Sequence, residues 1–198
     1  HCRESGVSLK DVKERYSINF EEYGICIFHP VTSELNNLAQ QAKDLFETLT
    51  DSKKNFVVIL PNNDPGSEII REKIKDLNKK NFKVLPSMRF NYFSELIKNS
   101  SIFIGNSSAG IREVPFLGIC SIDIGTRQKN RSIGVSIIQA KAEERDKVLK
   151  LIYDNWNKKY PKDNSFGSGN AAKSFTKILK SEQTWTINMQ KTFKDKIR

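Results

Sequence analysis

The stretch Ile102-Phe103-Ile104-Gly105-Asn106-Ser107-Ser108-Ala109-Gly110-Ile111-Arg112-Glu113 decides the fold. It opens with three large apolar residues, two of them β-branched, which is typical of a buried strand. Small residues and hydroxyls follow, and they let a backbone approach an anion at the point where a helix begins with free N–H groups. We therefore predict a strand, a tight loop and a helix in that order.

Five further apolar runs flank this stretch on both sides. They occupy residues 25–28, 56–60, 82–85, 119–124 and 135–138. Most of them are continuous rather than alternating, which suits strands that are buried on both faces of a parallel sheet. The sequence therefore predicts six strands.

Segments with helical spacing of apolar residues separate or follow these runs. They occupy residues 33–50, 67–80, 145–158 and 170–179, with their apolar positions three and four residues apart. Alternating strands and helices predict βαβ units and hence one α/β domain with a doubly wound, Rossmann-like parallel sheet. Ligands of such domains bind at the carboxyl ends of the strands.

The composition is that of an ordinary globular domain. The chain has 198 residues, of which 37% are hydrophobic and 28% charged, so collagen-like, disulfide-scaffold and wholly disordered classes are excluded. The sequence contains neither an apolar run long enough for a membrane helix nor a secretory pattern at its start. We expect a cytoplasmic protein with no membrane partner. A chain that begins at His1 is processed, trimmed or part of a longer protein.

The three cysteines are read as thiols rather than as disulfides or metal ligands. Cys26 and Cys120 lie in apolar runs, where a small buried thiol is the ordinary interpretation. We predict no metal site, because His29 has no second histidine or cysteine at ligand spacing and His1 with Cys2 is a poor pair. No cofactor is predicted.

The charge is strongly positive. Lysine and arginine number 33 against 23 acids, which gives a formal net charge of +10. Such a balance suits nucleic acid, an acidic membrane surface or phosphorylated small molecules. The sign of the charge alone does not choose among them.

Polar residues follow four of the predicted strands. His29 follows the first, a turn-rich segment at 61–68 the second, the Ser107-Ser108 loop the fourth, and a basic loop at 125–131 the fifth. Each of these segments also has a purely structural interpretation as a helix cap, a turn or a solvated loop. Together they indicate an anionic nucleotide cleft, in which Glu113 accepts ribose hydroxyls and Arg127 contacts a diphosphate.

Four of these segments also carry a resemblance to a known family. Ordered motifs at residues 28–32, 62–67, 105–114 and 125–128, with a later glycine-Asn-Ala element at 166–171, resemble UDP-N-acetylglucosamine 2-epimerases of the hydrolysing type. The likeness covers residues 23–179. Members of that family have a glycosyltransferase-B-like fold with two Rossmann-like halves, and this chain resembles the C-terminal half without the N-terminal one.

The resemblance implies a site and a reaction. The UDP-binding residues it implies are His29, Asn62, Met88, Ser107, Ser108, Glu113 and Arg127, with Met88 offering backbone contacts. The implied reaction eliminates UDP to give a glycal and then adds water, so that N-acetylmannosamine forms. His29 is the one catalytic candidate in this chain, because the proton-transferring carboxylates belong to the N-terminal half. The resemblance also implies a homo-oligomer and a role in sialic acid precursor synthesis.

The sequence suggests three regions. Residues 1–22 form a lead-in from the N-terminal half, with a short helix near 9–13 and no core element; residues 23–182 form the UDP-binding domain; residues 183–198 form a basic helix or tail. In glycosyltransferase-B-like folds the last helix crosses to the other half, so Trp185, Ile187 and Met189 are expected to lack their partner and to form an exposed patch.

Two other functions compete with this interpretation. An epimerase of a GDP-linked or diacetylated amino sugar would keep the same loops and differ around Ser87, Met88 and Arg89. A basic nucleic-acid-binding domain is the rival from another class, supported by the charge and by the lysine-rich segment 173–198. The sequence argues against it, because it holds no aromatic-interleaved recognition motif, zinc spacing or helix-turn-helix pattern.

Overall fold

A computed structural model of the protein describes residues 6–132, 134–167, 169–186 and 190. His1, Cys2, Ser168, Ile187 and Met189 therefore lie outside the described residues. The chain divides into two compact units, His1–Asp163 and Asn164–Arg198. The division into residues 1–22, 23–182 and 183–198 stays a prediction.

The first unit is built on a six-stranded parallel sheet in the order β3-β2-β1-β4-β5-β6. The strands are β1 (Gly24–Ile27), β2 (Phe56–Ile59), β3 (Phe82–Leu85), β4 (Ile102–Gly105), β5 (Ser121–Ile124) and β6 (Ile137–Ala140). All six predicted strands are present, and this order defines a doubly wound Rossmann-like sheet. The predicted fold class is confirmed.

Burial along the strands follows their position in the sheet. All four residues of β1, β2, β4 and β5 are buried, whereas β3 and β6, the two edge strands, are partly exposed. Continuous apolar runs therefore mark the central strands, as expected for a sheet covered on both faces. The last strand begins at Ile137, two residues later than predicted, and Val135 is 70% exposed.

Helices cover both faces of the sheet. They are α1 (Leu9–Tyr16), α2 (Leu35–Asp51), α3 (Ser67–Lys75), α4 (Phe90–Lys98), α5 (Ala109–Phe116) and α6 (Arg145–Asn155), with a 3₁₀ turn at Thr32–Glu34. The apolar faces of α2, α3 and α6 form one core with the sheet, and those of α1, α4 and α5 form a second. The predicted helices at 67–80 and 145–158 end earlier, at Lys75 and Asn155.

The start of the chain contributes to the core, contrary to the prediction. Ser8 caps α1 by accepting a hydrogen bond from the N–H of Asp11 (3.1 Å). Val12 and Ile18 are 0% and 2% exposed within the second core. The expectation that the lead-in supplies no core element is wrong, because the short predicted helix extends over two turns and buries Val12.

Helix α4 is an element for which the sequence interpretation made no prediction. Its apolar residues include Phe93, Leu96 and Ile97, and the last two are 0% and 1% exposed. Their spacing of three and four residues is helical. The signal was present in the sequence, and it supplies the crossover between β3 and β4.

The second unit contains two short helices, α7 (Ala171–Leu179) and α8 (Glu182–Trp185). The helix predicted at 170–179 is thus confirmed. Several of its large apolar side chains are exposed, including Phe175 (62%) and Ile178 (55%). Trp185 is 72% exposed, in line with its prediction.

The cysteine interpretation is also confirmed where the structure describes it. Cys26 and Cys120 are free and buried. Burial raises the pKa of each thiol to about 12, so both stay protonated near neutral pH. Among the described helices, none is both long and apolar enough to cross a membrane.

Candidate functional site

The candidate site lies where the strand order of the sheet reverses, between β1 and β4. These two strands are parallel neighbours with Ile27 opposite Gly105, and the chain leaves them toward opposite sides of the sheet. The loops that follow them therefore diverge and leave a crevice at their carboxyl ends. His29 is in the first of these loops, and Asn106 begins the second.

Asn106 joins the two loops through its side-chain amide. Its Oδ1 accepts a hydrogen bond from the backbone N–H of His29 (2.7 Å), and its Nδ2 donates to the carbonyl of His29 (2.8 Å). Asn106 is 1% exposed. Because a buried polar group is costly unless it is hydrogen-bonded, this pair of hydrogen bonds fixes the backbone of His29 relative to β4.

The imidazole of His29 reaches the loop after β2. Its Nδ1 lies 3.2 Å from Oδ1 of Asn62 and 3.3 Å from the backbone nitrogen of Asn62. Nδ2 of Asn62 in turn donates to Asp64 (2.6 Å). The two predicted residues His29 and Asn62 are therefore in direct contact, and Asp64 orients the second.

The loop after β5 meets the same centre through the carbonyl of Asn106. That oxygen accepts hydrogen bonds from Nη1 of Arg127 (3.3 Å) and from Nε2 of Gln128 (2.9 Å). Gln128 is 1% exposed. Asn106 thus gathers residues from the loops after β1, β4 and β5 at one point, and His29 extends the contact to the loop after β2.

Burial and a neighbouring positive charge favour the neutral form of the His29 imidazole. Burial lowers the pKa of His29 from its ordinary value, and the positive charge of Arg127 lowers it further. Hydrogen bonding to Asn62 and the charge of Asp64 act in the opposite direction. A neutral imidazole beside a guanidinium can donate one hydrogen bond to an incoming phosphate.

The loop after β4 leads into the N-terminus of α5. Ser108 precedes the helix and makes no side-chain capping bond, and the N–H of Ala109 makes only a 3.4 Å contact to Oγ of Ser107. Among the described residues, the backbone N–H groups of Ser107 and Ser108 have no hydrogen-bond partner. Both serines are half-buried. Free N–H groups and hydroxyls at a helix start favour an anion.

Two glycines make this loop possible. Gly105 has φ = +134°, and a Cβ there would lie 2.0 Å from the carbonyl oxygen of Ile27. At Gly110, a Cβ would lie 2.7 Å from Oγ of Ser121 and 2.9 Å from the ring of Phe103. The first glycine permits the turn out of β4, and the second lets α5 pack close to the sheet.

Glu113 lies in α5, just over one turn after Ser108. Its Oε2 is buried and has no hydrogen-bond partner among the described residues. Burial raises the pKa of Glu113 above its ordinary value, against the lowering effects of a backbone hydrogen bond and of Arg112. A buried acceptor with no partner has unused capacity for a ligand hydroxyl.

Met88 is separate from this group. It lies in the loop between β3 and α4, and β3 is the edge strand two positions from β1. The Met88 side chain is partly buried against the second core. Of the predicted residues, His29, Asn62 and Arg127 are brought together around Asn106 by hydrogen bonds. Ser107 and Ser108 directly follow Asn106 in the sequence. Glu113 and Met88 lie beyond these contacts.

Sequence reasoning missed the residues that hold the predicted ones in place. Asn106 and Gln128 stood inside the quoted motifs, but neither was singled out. Thr126 and Glu34 were missed as well, and the hydroxyl of Thr126 donates to the carboxylate of Glu34. For Asn106, the available signal was an amide directly after a buried strand, but the partners of these residues are distant in the sequence.

The fold and the crevice define a Rossmann-like α/β module. The sequence model of the UDP-N-acetylglucosamine 2-epimerase family matches residues 4–180, and the chain therefore belongs to that family. The chain is 40% identical over 196 residues to UDP-N-acetylglucosamine 2-epimerase of Neisseria meningitidis, which covers 95% of this chain and 51% of that protein.

Two further comparisons agree. The chain is 35% identical to polysialic acid biosynthesis protein P7 of Escherichia coli over 68% of this chain and 35% of that protein. Its fold matches a crystal structure of Methanocaldococcus jannaschii UDP-GlcNAc 2-epimerase in complex with UDP-GlcNAc and UDP, with a TM-score of 0.68, 17% identity, and coverage of 90% of this chain and 50% of that one. The chain thus spans about half the length of the N. meningitidis and M. jannaschii proteins, and its match to protein P7 covers 35% of that protein.

Proposed function

We propose that this chain is the UDP-binding half of a hydrolysing UDP-N-acetylglucosamine 2-epimerase. The observation that carries the proposal is the convergence of His29, Asn62 and Arg127 around Asn106 at the point where strand order reverses. The family membership supports UDP as the nucleotide, and the solved relative from M. jannaschii is described as a complex with UDP-GlcNAc and UDP.

Each group has a role in this proposal that suits its chemistry. The N–H groups and hydroxyls of Ser107 and Ser108 bind the diphosphate at the start of α5. The guanidinium of Arg127 adds a charge-assisted contact. The unpartnered oxygen of Glu113 accepts a hydrogen bond from the ribose, as in other dinucleotide and nucleotide folds that use an acid for this purpose.

The remaining predicted residues complete the contact surface. His29 and Asn62 approach the phosphates or the sugar from the other side of the crevice. The backbone near Met88 contacts the uracil. Because Met88 belongs to the loop after β3, this last role places the base toward that edge of the sheet.

The proposed reaction removes a proton from C2 of the sugar while the bond from C1 to the β-phosphate oxygen breaks. UDP leaves, a glycal forms, and water then adds across the double bond to give N-acetylmannosamine. Groups of this chain stabilise the leaving diphosphate through Arg127 and the helix N-terminus. The carboxylates that move protons belong to the N-terminal half, so we expect this chain alone to turn over substrate poorly or not at all.

The similarity to polysialic acid biosynthesis protein P7 supports a role in sialic acid precursor synthesis. We also propose a cytoplasmic location and assembly as a homo-oligomer. The alternative to this function is an epimerase that acts on a related GDP-linked or diacetylated sugar. The choice of base is what the first experiment addresses.

Calorimetric titration of the folded chain with UDP tests the proposal, with GDP as the competing nucleotide. We expect saturable binding that prefers UDP and weakens by about tenfold in Glu113→Gln, because the hydrogen bond from the ribose then has a neutral acceptor in place of a charged one. Glu72→Gln is the matched control, since Glu72 is an exposed acid on α3 paired with Lys75. A folded chain that binds neither nucleotide, or binds GDP more tightly, contradicts the proposal.

A second assay concerns catalysis. Incubation of the chain with UDP-N-acetylglucosamine should release UDP far more slowly than a complete enzyme, whose turnover is typically 1–10³ per second. Turnover in that range by this chain would show that the proton-transferring groups lie within it.

A further inference from the structure

Both sequence neighbours of Arg127 are held in place by side-chain hydrogen bonds. On one side, the hydroxyl of Thr126 donates to Oε1 of Glu34, a residue 92 positions earlier in the chain. On the other side, Nε2 of Gln128 donates to the carbonyl of Asn106 (2.9 Å). The backbone carrying the guanidinium is therefore anchored to the segment after β1 and to the loop after β4.

Each anchor is itself braced. Oε2 of Glu34 accepts a hydrogen bond from Nε2 of Gln41 on α2 (3.1 Å), so the carboxylate has partners on both oxygens. Oε1 of Gln128 accepts from Nη1 of Arg131 (3.1 Å). Both ends of the Gln128 amide are thus used, as expected for a side chain that is 1% exposed.

The backbone around Arg127 adds one turn and a link to the neighbouring strand. The N–H of Gly125 donates to the carbonyl of Ala140 at the end of β6 (2.8 Å), and the N–H of Lys129 donates to the carbonyl of Thr126 (3.0 Å). A long arginine side chain carries considerable rotamer freedom, which it loses when it binds. A fixed backbone and a contact from its Nη1 to the carbonyl of Asn106 (3.3 Å) reduce that loss.

We propose that Thr126 and Gln128, with their acceptors Glu34 and Asn106, form an arginine clamp whose function is to position Arg127 for the diphosphate before the ligand arrives. This inference rests on the proposed function, and it assigns positioning roles to residues that do not themselves touch the ligand. The clamp acts on phosphate affinity and leaves the nucleoside contacts alone.

The test measures UDP and uridine separately. Calorimetry with UDP and ligand-detected NMR with uridine would be carried out on the whole chain and on Thr126→Val, which removes the donor while keeping the shape of an exposed side chain. We expect UDP to bind about three- to tenfold more weakly, the effect of one hydrogen bond, and uridine to bind within about twofold of the parent chain. Thr126→Ser should restore UDP affinity.

Gln128→Leu probes the other side of the clamp, with the same expected separation between UDP and uridine. Because Gln128 is buried, this variant is also checked by circular dichroism and urea unfolding. Thr50→Val is the matched control for Thr126→Val. The Thr50 hydroxyl donates a hydrogen bond to the carbonyl of Phe46 (2.9 Å) within α2 and has no part in the clamp. The exposed Thr126 keeps the test decisive if Gln128→Leu does not fold.

A double-mutant cycle gives the final discrimination. In an Arg127→Ala background, Thr126→Val should have no further effect on UDP affinity, because the group it positions is gone. Equal losses with and without Arg127, or equal losses for UDP and uridine, would overturn the clamp while leaving UDP binding intact. A parent chain that binds no UDP overturns the proposed function itself, and the clamp with it.

Discussion

The side-chain amide of Asn106 replaces a missing strand partner for His29, since its Oδ1 accepts from the His29 N–H at 2.7 Å and its Nδ2 donates to the His29 carbonyl at 2.8 Å. At this position β1 has ended, and among the described residues no backbone group supplies these bonds. The amide therefore continues the sheet by one residue. It does so at the place where the two loops separate to form the crevice.

Asn106→Ala should lower the free energy of unfolding by about 2–4 kcal/mol, because two backbone groups of His29 lose their partners in a nearly dry site. Urea unfolding followed by circular dichroism measures this change. Asn37→Ala is the matched control, since Asn37 is exposed on α2 and its replacement should shift stability by less than about 0.5 kcal/mol. A similar small effect at both positions would mean that the amide contact does not stabilise the fold.

The titration of His29 provides a second prediction. Its pKa lies below the ordinary value of 6.5, first through burial and then through the charge of Arg127. Arg127→Gln should therefore raise the pKa of His29, and added UDP should raise it in the parent chain because a diphosphate is negative. Proton NMR can follow this cleanly, since the chain has two histidines and His29→Gln assigns the signals.

The sign for stability follows from the same shift. A histidine whose folded-state pKa is lowered resists protonation in the native state, so the protein loses stability as pH falls through 6.5 toward the folded-state value. This loss should be smaller in Arg127→Gln. An unchanged His29 titration in that variant would place Arg127 too far away to act on the imidazole.

Glu113 is expected to trade stability for binding. Its folded-state pKa is raised above 4.5 mainly by burial, so ionisation costs the native state free energy as pH rises through that value. Glu113→Gln should increase the free energy of unfolding at pH 7.5, by about 1 kcal/mol for one partly buried unsatisfied oxygen, and the gain should vanish near pH 4. Urea midpoints at the two pH values measure it, and Glu72→Gln should show no such difference.

The sheet was predictable from sequence because its information is local. Each central strand is a continuous apolar run, and the small residues after β4 indicate the loop there. The partly exposed edge strands gave the weaker signals, and β6 was predicted to start two residues early. The core contribution of α1 was missed for a related reason, since a single buried valine on a polar helix forms no pattern.

The candidate site was predictable only in part. His29, Asn62, Ser107, Ser108, Glu113 and Arg127 follow strands or begin a helix, and strand ends can be located without knowing the strand order. The residues that hold them cannot be found in this way. Asn106 and His29 are 77 positions apart, and Glu34 and Thr126 are 92 apart, so their pairing depends on which strands are neighbours.

Gly105 and Gly125 offer a matched pair for the last prediction, because Gly105 ends β4 and Gly125 directly follows β5. Both have positive φ, at +134° and +83°. A Cβ at Gly105 would lie 2.0 Å from the carbonyl oxygen of Ile27, whereas a Cβ at Gly125 meets nothing within 4 Å. Gly125→Ala should therefore carry only the backbone strain, about 1–2 kcal/mol. Gly105→Ala adds a clash with backbone that cannot move without separating β1 from β4, so we expect a loss above about 4 kcal/mol or no folded protein. Urea unfolding of both variants measures the difference. Equal losses would contradict the close approach of Gly105 to the carbonyl of Ile27.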